Sequence, residues 1–213
     1  MLPVSSQSVR PTTPPEAWAA LREGNDRFVR GEMQHPSQSI DRRAELSLSQ
    51  HPFAVLFGCS DSRVAAEIIF DQGLGDLFVV RTAGHVLDTT VIGSIEYGVE
   101  VLGAPLVVVL GHDSCGAVAA ATAALNNGDL PRGFVRAVVD RVIPSIVNLT
   151  RSTDEPIDPA ALGHEHVRHT VQMLQGYSVS LAEAVAEGRC AIVGLEYTLA
   201  DGRVTLTESV GDV

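Results

Sequence analysis

A thiol, a carboxylate and a guanidinium stand on alternate residues, at Cys59, Asp61 and Arg63. The apolar run before them, residues 53–57, predicts a buried strand that delivers these groups at its end. A thiolate is a metal ligand or a nucleophile, and a carboxylate two residues from an arginine can form a bidentate salt bridge with it. The segment therefore combines a soft donor with a charge pair that can be formed or broken.

A second apolar run, residues 106–110, is followed by His112 and Cys115. Their spacing at a strand-to-helix junction lets both side chains face one point. The carboxyl ends of parallel strands lie at one edge of a sheet, where ligands bind, so Cys59 is expected to meet them there. Thiolate and imidazole are the donors that zinc prefers in tetrahedral sites. The sequence therefore predicts one zinc site built from two strand ends.

The fourth zinc ligand is either water or Asp61. A salt bridge to Arg63 would hold Asp61 off the metal and leave room for water, whereas a broken bridge would let the carboxylate close the site. The alternative is a permanently closed zinc site in a non-enzymatic protein that binds partners. Structural zinc sites usually use four Cys or His ligands in paired short spacings, and this pattern differs from them. The ligand pattern alone thus favours catalysis over a structural role.

Strands and helices alternate along most of the chain, which predicts an α/β fold: a mostly parallel central sheet flanked by helices. We expect helices over residues 89–102 and 160–187, and a turn at Asp201-Gly202 that makes the C-terminal strand antiparallel. An amphipathic pattern over residues 17–30 predicts an N-terminal helical arm. Residues 1–15 are rich in Ser, Thr and Pro and are expected to be a disordered lead, and residues 16–213 to form a single zinc-dependent catalytic domain.

The composition limits the possible partners and the compartment. The 213 residues carry a net charge of -11, which argues against nucleic acid because phosphate binding needs a basic surface. No apolar run is long enough to span a membrane. Three cysteines without a signal peptide predict a reducing compartment, so the expected location is cytoplasmic.

Two motifs together resemble the β-class carbonic anhydrases. They are Cys-Ser-Asp-Ser-Arg at residues 59–63 and Gly-His-Asp-Ser-Cys-Gly at residues 111–116. The separation of 53 residues between Cys59 and His112 also fits that family, and the similarity runs from residue 21 to the final hairpin. Both motifs are highly specific, so the resemblance strongly favours an enzyme.

The resemblance implies roles for eight residues. The zinc ligands would be Cys59, His112 and Cys115, and Asp61 and Arg63 would be the catalytic pair that orients the zinc-bound hydroxide. The substrate-binding residues would be Gln50, Phe78 and Tyr97. Family pockets lie at a dimer interface, so these three side chains could serve the zinc of a neighbouring subunit. From the residues alone, Phe78 and Tyr97 read as ordinary core aromatics.

The implied reaction is the reversible hydration of carbon dioxide to bicarbonate and a proton, in a homodimer or a dimer of dimers. A second activity on the same scaffold, the hydrolysis of carbon disulfide, remains an alternative. Where many family members have Asn-Val-Ala-Asn, this chain has residues 82–85, Thr-Ala-Gly-His. We consider His85 either a proton shuttle or, more simply, a surface or loop histidine. His164, His166 and His169 have a helical spacing that could bind a metal, but a solvated helix face is favoured for them. Cys190 is expected in the core.

Overall fold

A computed structural model describes residues 10–151 and 158–213. Its sheet has five strands in the order β2-β1-β3-β4-β5. Their bounds are β1 Ala54–Cys59, β2 Leu77–Thr82, β3 Leu106–His112, β4 Ala191–Tyr197 and β5 Val204–Val210. The first four strands are parallel and β5 is antiparallel to β4. The predicted fold class is therefore confirmed, including the antiparallel C-terminal strand.

Eight α-helices are found in the described part of the chain. They are α1 Pro14–Arg30, α2 Ile40–Glu45, α3 Ala66–Ile69, α4 Thr89–Glu96, α5 Gly116–Asn127, α6 Val135–Arg151, α7 Pro159–Tyr177 and α8 Val179–Ala186. A 3₁₀ turn occupies Ala83–His85, and a π-helical turn follows α4 at Tyr97–Val101. None of the helices in residues 10–151 and 158–213 is long and apolar enough to cross a membrane.

The three inner strands β1, β3 and β4 are buried on both faces of the sheet, as their continuous apolar sequences require. Alternate residues point to opposite sides: Leu56 and Val108 join a core beneath α1 and α3, whereas Phe57 and Val109 join a core beneath α4, α7 and α8. A third apolar cluster lies between α5 and α6 and includes Cys59 and Cys115. The metal-ligand candidates thus sit where the sheet meets this third cluster.

The N-terminal arm begins with a capping box. The Thr13 hydroxyl accepts from the Glu16 amide, the Glu16 carboxylate accepts from the Thr13 amide, and Pro14 stands in the first turn. Helix α1 therefore starts two residues inside the lead predicted for residues 1–15, and residues 1–9 of that prediction lie outside the described residues. Ala17 and Leu21 are fully buried, so the apolar face of the arm packs on the core of its own chain.

Two predicted helices are interrupted. The single helix expected over residues 160–187 is two, because Ser178 adopts an extended conformation and its hydroxyl accepts from Leu181 N at 3.1 Å, which caps α8. The α-helix expected over residues 89–102 becomes π-helical after Glu96. There Gly98 lies so close to the sheet that a Cβ would be 2.3 Å from Val55 Cγ2. Local capping and close packing, which periodicity does not reveal, determine both breaks.

Candidate active site

Two neighbouring strands and one helix start bring the predicted metal ligands together. Cys59 ends β1 and His112 ends β3, and the two strands pair in parallel register. Cys115 is the N-cap of α5, three residues beyond His112. The carboxyl ends of the strands and the positive end of a helix therefore converge on one point.

The donor atoms of Cys59, His112 and Cys115 lie within 4.8 Å of one another, and all three residues are buried. Around a tetrahedral zinc with bonds of 2.0–2.3 Å, donors are separated by about 3.5–4 Å. Small side-chain rotations would therefore close the three donors on one ion. Among the described residues, no other group of three or more His, Cys, Asp or Glu side chains has this spacing.

The imidazole of His112 is oriented for metal binding. Its Nδ1 donates to the carbonyl of Asp113 at 2.7 Å, which leaves Nε2 as the free lone pair. Within the described residues, Nε2 is buried without a hydrogen-bond partner. A buried, unpaired nitrogen is costly, and a metal ion held between this nitrogen and two thiolates would remove that cost. The residues present therefore fit a zinc ion.

Without a metal, the two thiols compete for one proton. The Cys115 thiol donates toward Cys59, which lowers the pKa of Cys59, while the negative charge on Cys59 raises the pKa of Cys115. Burial disfavours the charged form of His112, but Cys59, the Asp113 carbonyl and Asp61 outweigh it and raise its pKa. The pocket therefore stabilises the thiolate form of Cys59 and a positive charge next to it. A metal cation would supply that positive charge.

Asp61 and Arg63 form the bidentate pair that the sequence predicts. Arg63 donates from Nε to Oδ1 at 2.9 Å and from Nη2 to Oδ2 at 2.7 Å, and its amide also donates to Oδ1. These bonds hold the pKa of Asp61 well below its usual range. Asp61 Oδ2 lies 4.0 Å from His112 Nε2. The carboxylate thus borders the metal site while its oxygens are engaged by Arg63.

Two further residues hold the loop after β1, and neither was predicted from the sequence. Arg81, at the end of β2, donates from Nε to the carbonyl of Cys59 at 2.9 Å and from Nη2 to that of Asp61 at 2.6 Å. Gly84 donates its amide to Cys59 Sγ at 3.3 Å. The signal for Arg81 was a charged residue closing an otherwise apolar strand next to β1.

The predicted substrate-binding residues lie away from the metal ligands of their own chain. Phe78 pairs in register with Val55, so it is about 13 Å from Cys59 along the sheet at 3.3 Å per residue. Tyr97 contacts Phe78, with ring centroids 6.1 Å apart, and is 46% exposed. Gln50 lines a surface groove with Leu48 and Leu74. None of the three lines the cavity of about 650 Å³ that opens beside His112 and Cys115.

His85 lies in the short 3₁₀ turn after β2 but not at the surface, so only the surface part of the simpler sequence interpretation is wrong. It is 2% exposed, has a positive φ of 41°, and stacks on His166 at 4.2 Å between ring centroids. Burial lowers its pKa well below the usual range, and neither ring nitrogen has a hydrogen-bond partner in the described chain. These features argue against a proton shuttle, which must exchange protons with solvent near neutral pH.

The other predictions for single residues have mixed outcomes. His166 is 3% exposed, so the expected solvated helix face is wrong for this residue. His164 lies at the surface, 3.8 Å from Glu196. Cys190 is buried in the core, as predicted.

Comparison with known proteins supports the family resemblance of the two motifs at residues 59–63 and 111–116. A family model described as carbonic anhydrase matches residues 54–204. Carbonic anhydrase 2 of Mycobacterium tuberculosis is 58% identical over 202 residues, covering 95% of this chain and 97% of that protein. The crystal structure of the β-carbonic anhydrase CafA of Aspergillus fumigatus superposes with a TM-score of 0.67 at 26% identity, covering 89% of each chain. A tetrameric β-carbonic anhydrase of Sordaria macrospora shares the fold, with a TM-score of 0.69 at 24% identity, covering 77% of this chain and 84% of that one.

The fold and the Cys-His-Cys cluster define a metalloenzyme of the lyase class. The chain belongs to the carbonic anhydrase family, in its β class, whose reaction is the reversible hydration of carbon dioxide.

Proposed function

We propose that this carbonic anhydrase hydrates carbon dioxide with zinc held by Cys59, His112 and Cys115. The observation that carries the proposal is the buried, unpaired Nε2 of His112, flanked by two thiols within 4.8 Å. Zinc bound there would supply a water whose pKa is lowered toward about 7, and with it the nucleophile of the reaction. Because the relatives are carbonic anhydrases, carbon dioxide is favoured over carbon disulfide, and an enzyme over a zinc-stabilised binding protein.

Asp61 acts as the hydrogen-bond acceptor that orients the attacking water. Its two oxygens are engaged by Arg63, which keeps the carboxylate ionised and directed along one side of the site. The Arg63 side chain is the main cause of the low pKa of Asp61, so the carboxylate stays ionised near neutral pH and accepts hydrogen bonds without taking up a proton. Attack of water on carbon dioxide yields bicarbonate, and the proton released passes to buffer.

Substrate contacts are completed by a second subunit. β2 forms one edge of the sheet, and its apolar side chains are only half-buried. Exposed apolar residues accompany this edge: Leu48, Leu74, Tyr97 and Val101. An uncovered apolar edge strand is a ready surface for pairing with another chain. In a homodimer formed there, Gln50, Phe78 and Tyr97 of one subunit would serve the zinc of the other.

Residues 16–213 act as one catalytic domain, supported by a single sheet that contributes both strand ends to the site. Three free, buried cysteines fit a reducing cytoplasm, because two of them are needed as thiolates. The dimer assembles alone or as a dimer of dimers.

Stopped-flow hydration of carbon dioxide, with zinc content measured on the same sample, tests this function. We expect about one zinc per chain and turnover that is lost in the variant His112→Ala together with the zinc. Carbon disulfide is offered in parallel, and hydrolysis of it in preference to carbon dioxide would select the alternative activity. A fully zinc-loaded protein with neither activity would support the binding protein instead.

A further inference from the structure

A buried line of hydrogen bonds leads from α6 to the sulfur of Cys59. His166 in α7 has its Nδ1 2.8 Å from Ser145 Oγ and its Nε2 2.8 Å from the carbonyl oxygen of Gly84. Gly84 in turn donates its amide to Cys59 Sγ at 3.3 Å. Both His166 and Ser145 are almost fully buried, so water does not substitute for these contacts.

The carbonyl at one end fixes the tautomer of His166. A carbonyl only accepts, so Nε2 must carry the proton. The Ser145 hydroxyl has one proton and two neighbours, Nδ1 at 2.8 Å and the carbonyl of Val142 at 2.6 Å. Burial lowers the pKa of His166, which favours the neutral ring with Ser145 donating to Nδ1. In every arrangement of these protons, His166 donates to Gly84.

Gly84 occupies a conformation that needs such support. Its φ of 64° lies in the left-handed region, and a Cβ would come within 2.5 Å of the Ala117 Cβ. Only glycine fits there, and glycine is also the residue with the greatest backbone freedom. The bond from His166 restrains the carbonyl of the same residue whose amide points at the sulfur.

We propose that His166 is a positioning residue of the metal centre: by holding the Gly84 carbonyl, it keeps the Gly84 amide on the sulfur of Cys59. An amide bonded to a ligating thiolate withdraws negative charge from the sulfur and fixes its direction. Partners of this kind alter metal affinity by about 10- to 100-fold when they are removed. The inference rests on the proposed zinc ligation by Cys59.

The competing explanation is that His166 merely fills space under the stacked ring of His85. Three variants separate the two. His166→Leu removes both hydrogen bonds and keeps an apolar filling, whereas the side-chain amide of His166→Gln can still donate to Gly84. The control is Thr170→Val, one turn along α7, which removes the buried bond from Thr170 Oγ to the His166 carbonyl but leaves Gly84 untouched.

The first measurement is the rate at which zinc passes to a chelator, followed on the loaded protein at fixed pH. We expect release from His166→Leu to be about tenfold faster or more, and that from His166→Gln to stay within about threefold of the wild type. Thr170→Val should melt at a lower temperature but release zinc at the wild-type rate. The proposal is overturned if His166→Leu releases zinc at the wild-type rate. It is also overturned if Thr170→Val or His166→Gln releases zinc as fast as His166→Leu does.

A second measurement needs no variant and stays decisive if His166→Leu fails to fold. In wild-type protein loaded with ¹¹³Cd, the Gly84 amide proton should show scalar coupling to the metal through the Cys59 sulfur. ¹⁵N spectra of His166 should show a protonated Nε2. A ring protonated only at Nδ1, or an uncoupled Gly84 amide, contradicts the inference. Wild-type protein that binds no metal refutes the proposed function instead, so the two failures are distinguishable.

Discussion

Arg63 holds both carboxylate oxygens of Asp61, at 2.9 and 2.7 Å, while Asp61 Oδ2 stays 4.0 Å from the Nε2 of His112. Parallel N–H···O bonds of this kind fix direction as well as distance. Of the two arrangements that the sequence allows, the structure therefore has the one with the salt bridge formed. The pair sets how readily the carboxylate can reach the metal site.

The variant Arg63→Ala should lower the kcat/KM for carbon dioxide hydration by about 10- to 100-fold, an effect typical of lost partners around a metal. Without the guanidinium, the Asp61 carboxylate is free to rotate toward the metal and compete with water. Stopped-flow assays give the rate, and absorption spectra of the cobalt-loaded protein should change with the new ligand. Arg30→Ala is the control, since Arg30 is an exposed partner of Glu32. Unchanged spectra and rates in Arg63→Ala would contradict the role.

The substrate-binding residues proposed here, Gln50 among them, lie away from the metal ligands of their own chain, so two inactive variants should complement each other in a mixed dimer. If Gln50 serves the neighbour's zinc, the variants Gln50→Ala and Cys59→Ser should each be weakly active or inactive, yet regain activity when mixed. In the mixed dimer, the intact metal site of the first variant faces the intact Gln50 of the second. Activity is measured after the subunits are unfolded and refolded together.

Recovery in that mixture should approach a quarter of the wild-type activity, because about half of the dimers are mixed and each has one complete site. The same mixture made with Asp61→Ala in place of Gln50→Ala is the control. Asp61 lies beside the metal ligands of its own chain, so that mixture should stay inactive. No recovery with Gln50→Ala would show that Gln50 acts within its own chain or not at all.

The sequence was sufficient for the parts of the site that depend on strand ends. Cys59 and His112 follow unbroken apolar runs, so alternation and topology alone brought them to one edge of the sheet. Prediction from the sequence failed where tertiary contacts determine the helix ends and the burial of side chains. Ser178 breaks a helix by capping, and the burial of His85 and His166 depends on helices packing across the sheet. The bond from Gly84 to Cys59 is made by a backbone amide, which every residue except proline has, so no side-chain type in the sequence predicts it.

Helix α1 crosses α3 at Gly24, where a Cβ would lie 1.8 Å from the carbonyl oxygen of Phe70. Gly24→Ala must therefore separate the two helices, and we expect it to lower the free energy of unfolding by about 1–3 kcal/mol. Gly163→Ala is the matched control: it also adds a methyl to a helix, but no atom lies within 4 Å, so it should raise stability by up to about 1 kcal/mol. Urea denaturation measures both. A neutral Gly24→Ala would mean that α1 packs less closely on α3.

Zinc removal should abolish activity without unfolding the chain. Two apolar cores cover the faces of the sheet and do not include any of the three ligands, so the fold has its own stabilisation. After chelation we expect the far-ultraviolet circular dichroism at 25 °C to be retained and the melting temperature to fall, since a ligand of the native state stabilises it by mass action. Re-addition of zinc should restore turnover. Loss of the spectrum on chelation would instead favour a structural metal.

Asp71 makes stability depend on pH at a point far from the metal. Its side chain is fully buried and accepts from Arg27 Nε at 2.6 Å and from the amides of Gln34 and His35. Burial alone would raise the pKa of this carboxyl, but the two amides and the guanidinium outweigh it and lower the pKa. Because the folded pKa lies below the unfolded value of about 3.9, the stabilisation is complete above that value. It is lost as the pH falls through the folded pKa.

Asp71→Asn should therefore reduce the free energy of unfolding at pH 7 by about 3 kcal/mol, because it leaves Arg27 without its anion. The variant should also lose less stability than the wild type between pH 5 and pH 2. Glu32→Gln is the control, because it removes the partner of Arg30 in an exposed ion pair and should change stability by well under 1 kcal/mol. Parallel acid-side denaturation curves for Asp71→Asn and wild type would contradict this account of the buried pair.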